Sequence, residues 1–156
     1  KQQKRISVPM GVVKLGERYD FSGVLDMNTM SMIRIPIFGV LREVIKYLDC
    51  SPDVLIGSAG TPTTLAAIEM HMEKYDQIKV NGFEINKNQI EHILEKLCTI
   101  TAEQRLLIPG MEPGRQEVLI PGILITLELM SMLGMDMLTV SDFGLREGLA
   151  LAVANS

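Results

Sequence analysis

Two stretches of this sequence join a short apolar run to a turn of small residues and then to a helical pattern. That layout can receive an anion. In the first, Val54-Leu55-Ile56 leads into Gly57-Ser58-Ala59-Gly60-Thr61, and a helix is expected over about 62–72. Small residues let backbone approach an anion closely, and the N–H groups at the helix start, with its positive dipole end, point at phosphate oxygens. Gly60 and Thr61 are the expected backbone donors, with Thr61, Thr63 and Thr64 supplying hydroxyls. An ordinary strand-to-helix turn with a Thr cap has the same local pattern. The second stretch is Leu138-Thr139-Val140-Ser141-Asp142-Phe143-Gly144-Leu145-Arg146-Glu147-Gly148-Leu149. It places Arg146 in the first turns of a helix, where a guanidinium can clamp a phosphate with two parallel bonds. The alternative for Arg146 is a structural pairing with Glu147 or Asp142.

Other residue types with chemical potential are not gathered into patterns. His71 and His92 have no partner at metal-ligand spacing, and no Asp or Glu pair is picked out as acid and base. Arg34, Arg42 and Lys46 share a helix and read as solvated. Met130, Met132, Met135 and Met137 read as adaptable core. Cys50 and Cys98 form no CxxC pattern and read as reduced thiols, which points to the cytoplasm. The chain has 156 residues, 47% hydrophobic and 22% charged, enough for a single domain with a real core. Its net charge of −4 argues against nucleic acid as a partner, so an anion must be held by a local site. No apolar run reaches the roughly 18 residues that span a bilayer, and no apolar region follows the basic start to make a signal peptide.

Around these stretches the expected elements alternate. Ile6, Val8 and Met10 alternate as a strand, with a further extended piece over 12–15. Residues 20–28 read as a loop. Ile33, Ile37, Leu41, Val44, Ile45 and Leu48 recur at helical spacing, with the regular helix expected to begin near Pro36. Val80-Asn81-Gly82-Phe83-Glu84-Ile85 carries a hairpin-like turn signal. Asn86 can cap a helix over 87–98, and Thr101 with Gln104 opens another. A long helix is expected over about 116–133, stopped by Gly134. A last strand over 138–140 and a helix over 144–155 complete the order. Strands alternating with helices mean an α/β layered domain, its helices packed on a small mixed sheet.

The segment Ser58-Ala59-Gly60-Thr61-Pro62-Thr63-Thr64-Leu65-Ala66-Ala67 resembles the second phosphate loop of the Ppx/GppA phosphatase family. The stretch Ser141-Asp142-Phe143-Gly144-Leu145-Arg146-Glu147-Gly148-Leu149 is similar to that family's closing motif. Leu107-Ile108-Pro109-Gly110-Met111-Glu112-Pro113-Gly114-Arg115 resembles its helical connector, and residues 6–18 look like the strand and turn that follow its first glycine-rich loop. The four matches fall in family order along nearly the whole chain.

The resemblance implies the second lobe of an actin-like, ribonuclease-H-like fold, with the active site in the cleft between two lobes. It implies Mg²⁺-assisted release of terminal phosphate from inorganic polyphosphate or from guanosine pentaphosphate. The family's Asp-Ile-Gly-Gly-Gly-Ser loop and its catalytic carboxylate are expected upstream of Lys1, in an N-terminal lobe that would be this chain's partner. No catalytic residue or metal ligand is therefore assigned here, and a chain begun mid-protein fits the missing initiator Met. Phosphate contacts fall to Ser58, Gly60, Thr61, Thr63 and Arg146. Pro62 and Pro121 stand where the family usually has small residues, and Pro62 removes one N–H donor. A non-catalytic module that binds a guanosine polyphosphate as a signal is the alternative, and a homodimer stays open. A sugar- or acetate-kinase lobe shares the superfamily fold, but the Arg-Glu-Gly ending argues against it.

Overall fold

The computed structural model describes residues 4–49, 51–144, 147 and 153. Its elements run α1 (Val12–Gly16), α2 (Met27–Leu48), β1 (Ile56–Ser58), α3 (Gly60–Glu69), α4 (Gln77–Val80), β2 (Glu84–Asn86), α5 (Lys87–Cys98), α6 (Ala102–Arg105), α7 (Leu119–Leu133) and β3 (Met137–Ser141). The three strands form one mixed sheet in the order β1-β3-β2, parallel between β1 and β3 and antiparallel between β2 and β3. This is the expected α/β class, a small mixed sheet flanked by helices.

At the centre lies α7, whose Leu119, Ile120, Ile123, Leu124, Leu127 and Met130 are all buried. Helices α2, α3 and α5 pack on it, and α3 also lies against β1 and β3. The α5 start follows its sequence signal closely: Asn86 and Gln89 bond reciprocally at 2.9 Å in both directions, which satisfies two otherwise orphaned donors. Thr101 and Gln104 do the same for α6. Gly134 ends α7 in the left-handed conformation at φ 65°, where glycine carries no Cβ penalty.

Several expectations are corrected. Residues 4–10 form no strand, and Val12–Gly16 is a short helix that buries Leu15. Alternation marks a two-faced segment, but only a neighbouring ladder makes it a strand. Instead, Lys4 pins this segment by donating to the carbonyls of Tyr47 and Leu48 at the end of α2, where a cation complements the helix dipole. Helix α2 starts nine residues before Pro36, at Met27, because Asp26 accepts the Thr29 N–H at 2.7 Å as an N-cap. Met30, Ile33, Ile37 and Leu41 form a buried stripe through the proline, and that burial outweighs the roughly 3 kcal/mol an internal proline costs. The turn at Asn81-Gly82 makes no local hairpin. One flank is α4, and the Gly82 N–H donates to the Val140 carbonyl at 2.8 Å, so β2 pairs with β3 from far along the chain. The first phosphate-loop strand is shifted to Ile56–Ser58 and lies at the sheet edge, leaving Val54 and Ile56 more than half exposed. Met137, expected in the core, is exposed, whereas Met130 is fully buried.

One charged side chain is wholly interior. Arg105 donates through Nε to the Leu97 carbonyl (2.8 Å), through Nη1 to those of Phe21 and Gln116, and through Nη2 to those of Gly23 (2.8 Å) and Ile100 (2.9 Å). It stitches the 20–23 loop, the end of α5 and the approach to α7 together without a carboxylate. Carbonyl dipoles at the α5 C-terminus take the place of a counter-ion.

Candidate functional site

The parallel register sets Ser58 opposite Ser141. The turn that leaves β1 and the one that leaves β3 therefore emerge side by side at one end of the sheet, as both sequence stretches require. Between β1 and α3 the chain turns at Ala59, which adopts φ 72° and ψ −169°, a region costly for a residue with a Cβ. The strain points the start of α3 out of the turn. No side chain caps this helix. Thr63 N–H bonds the Ala59 carbonyl at 3.4 Å, and Pro62 has no N–H to place. The N–H groups of Gly60 and Thr61 are then the two donors of the first turn left over.

The hydroxyls divide. Thr63 Oγ1, on a residue only 6% exposed, donates its proton back to the carbonyls of Ala59 (3.1 Å) and Gly60 (3.3 Å), so it closes the turn. A hydroxyl has one proton to give; in this arrangement Thr63 gives it to the backbone. Thr61 packs its side chain against α7, where a Cβ on Gly122 would collide with Thr61 Oγ1. Gly122 thus allows the two helices to approach. Ser58 is exposed at the strand end. Thr64 Oγ1 is buried and has no hydrogen-bond partner. Arg146 lies outside the described residues.

A cation not assigned from the sequence sits over this turn. A Cβ built on Gly60 would collide with the guanidinium carbon and both terminal nitrogens of Arg115. Any larger residue at 60 would displace the guanidinium from that space. The turn 112–115 delivers Arg115: its N–H bonds the Glu112 carbonyl (3.0 Å), Gly114 takes φ 86°, and Glu112 Oε2 lies 3.8 Å from Arg115 Nε. With both side chains about 40% exposed, that pair is weak. The guanidinium therefore keeps donors free beside the Gly60 and Thr61 N–H groups.

Tyr75 is the second residue that sequence reasoning missed. Its hydroxyl lies near the Asp142 carboxylate and the Thr63 hydroxyl, between the two turns. Burial and then the nearby Asp142 push its pKa up to about 12, so it stays a neutral donor. Beside Tyr75 opens a cavity of about 450 Å³ between α3 and the 106–113 segment. Among the described residues no group of three or more His, Cys, Asp and Glu gathers to hold a metal ion. No ligand for the Mg²⁺ that the resemblance implies is therefore assigned among the described residues, and no step below runs through it.

The profile of the Ppx/GppA phosphatase family matches residues 1–156. The chain belongs to that family. Ppx/GppA structures from Aquifex aeolicus superpose with TM-scores of 0.84 and 0.85 at 31% and 30% identity, covering 97% and 99% of this chain and about half of theirs. An exopolyphosphatase from Cytophaga hutchinsonii at 24% identity shares the fold, with a TM-score of 0.81. Among curated Ppx/GppA relatives, exopolyphosphatase 2 of Mycobacterium tuberculosis is 29% identical over 153 residues. A bifunctional 3-dehydroquinate synthase/phosphatase of Fusobacterium nucleatum is 29% identical over 143 residues. The chain spans 48% of the first and 21% of the second. The fold is accordingly that of half an actin-like Ppx/GppA protein. No helix among the described residues is long and apolar enough to cross a membrane.

Proposed function

We propose that this chain is the C-terminal lobe of a phosphoanhydride hydrolase that releases terminal phosphate from inorganic polyphosphate or guanosine pentaphosphate. The observation that carries the reading is the uncapped start of α3 with the Arg115 guanidinium over Gly60. Phosphoryl transfer relies on positioning and charge neutralisation rather than on covalent chemistry by the protein. Gly60 and Thr61 N–H groups would receive phosphate oxygens, and Arg115 would neutralise their charge with charge-assisted bonds. Thr63 holds the turn in shape, and Ser58 and Arg146 complete the contacts proposed from sequence. The nucleophile-activating carboxylate and any Mg²⁺ belong, on this reading, to an N-terminal lobe facing the same sheet end, in a cytoplasmic enzyme.

Isothermal titration of the chain with tripolyphosphate tests this. Binding should weaken about tenfold in Arg115→Ala, the low end for a hydrogen bond between charged groups, with Tm unchanged because the Glu112 pair is weak. The same preparation should release no phosphate. Equal affinity of wild type and Arg115→Ala would remove the anion role assigned to this turn, and robust hydrolysis by the chain alone would remove the two-lobe division of labour.

A further inference from the structure

A second cavity opens at the far end of α3 from the anion turn. It has a volume of about 230 Å³, and Glu69, His71 and Lys96 line it above a floor of Ile68, Ile93 and Leu97. Its polar groups are sorted along α5. Glu69 Oε1 accepts from Gln89 Nε2 at 2.7 Å, which fixes the carboxylate near the start of that helix. Lys96 lies seven residues further along it, a rise of about 10 Å, and enters none of the ion pairs among the described residues. His71 joins the acceptor end. Helix α3 closes with the Met72 N–H on the Ala67 carbonyl and the His71 N–H on that of Ile68, both at 3.0 Å. His71 there takes the left-handed φ of 50°, at a position where glycine is usual. Its Nδ1 lies 3.0 Å from the Glu69 carbonyl. A carbonyl only accepts, so Nδ1 carries the proton and the neutral ring presents Nε2 as an acceptor.

We propose that this cavity binds a small zwitterion whose ammonium and carboxylate stand at opposite ends of an apolar body. The ammonium meets the Glu69 carboxylate and His71 Nε2, and the carboxylate meets the Lys96 ammonium. His92, which also lines the cavity, stands one helical turn before Lys96 on the same face of α5. The apolar body covers Ile68, Ile93 and Leu97, all buried. A simple anion would face the Glu69 carboxylate, and a simple cation would face the Lys96 ammonium. Only a ligand that carries both charges in this order complements the two poles. An α-amino acid carries its two charges on one carbon and cannot reach both. A metal ion is not the occupant, because Glu69, His71 and His92 do not gather into a group that could hold one.

The test is NMR titration of the chain with 6-aminohexanoate, hexanoate and hexylamine, read on the amide resonances of residues 69–71 and 92–97. The three probes share one apolar body and differ only in their charged ends. 6-Aminohexanoate should bind about fivefold tighter than either single-charge probe, the upper range for one exposed ion pair. 4-Aminobutyrate, shorter by two methylenes, should lose that gain. Lys96→Met, at an exposed position, should weaken 6-aminohexanoate about fivefold and leave hexylamine unchanged. Glu69→Gln, which keeps an acceptor for Gln89, should weaken 6-aminohexanoate and hexylamine but not hexanoate. Equal affinities of the three six-carbon probes, unshifted resonances at these residues, or full 6-aminohexanoate affinity in Lys96→Met overturns the site.

Discussion

Replacing Arg105 by Met should remove a large part of the stability of this domain. The guanidinium is fully buried and serves the carbonyls of Phe21, Leu97, Ile100, Gly23 and Gln116. Methionine fills similar volume but donates nothing, so those carbonyls lose their partner inside the protein. Each buried acceptor left unsatisfied costs about 1–3 kcal/mol. Even if water rescues two of the five, the loss is about 3 kcal/mol or more, set against a usual total of about 5–15 kcal/mol. Arg105→Lys should fall between, because an ammonium has three donors and no planar fork. Urea unfolding followed by circular dichroism reads the effect as a fall in midpoint at constant slope. An Arg105→Met midpoint equivalent to less than about 1 kcal/mol of loss would refute the reasoning, since the carbonyls would then have found other partners at no cost.

Two further substitutions separate packing from binding. Gly122→Ala drives a methyl into Thr61 between α3 and α7 and should cost about 1–3 kcal/mol by overpacking; Tm scanning checks it. Gly60→Ala meets only the flexible end of Arg115, so thermal stability should change far less than in Gly122→Ala while tripolyphosphate binding, read by calorimetry, weakens. The Asp26 cap makes a pH prediction. The Thr29 N–H bond holds its carboxyl below the usual value, so its contribution is present above about pH 4, the unfolded range, and is lost as pH falls through the lower folded value. Asp26→Asn keeps the acceptor without titrating, so the Tm difference between wild type and variant should shrink as the medium is acidified below about pH 4. A difference that is constant with pH would show that the carboxylate does not titrate with folding.

Local chemistry was legible wherever neighbours in sequence are also neighbours in space. The capping boxes at Asn86–Gln89 and Thr101–Gln104, the Gly134 stop and the small-residue turn at 57–61 each depend on a few adjacent residues, and composition alone carries that signal. The α/β class followed from the alternation of strand and helix patterns. Features made by long-range contact were not legible. Whether 6–10 is a strand depends on a ladder partner, and whether α2 runs through Pro36 depends on the stripe it buries against α7. In sequence, Arg115 is a connector residue 55 positions from Gly60, and Tyr75 follows α3 with no signal of its own. Only the packing of α3 against α7 and the parallel pairing of β1 with β3 bring the guanidinium and the phenol to the turn. Those placements follow from burying one shared core, a sum over many distant pairs that no short window of sequence contains.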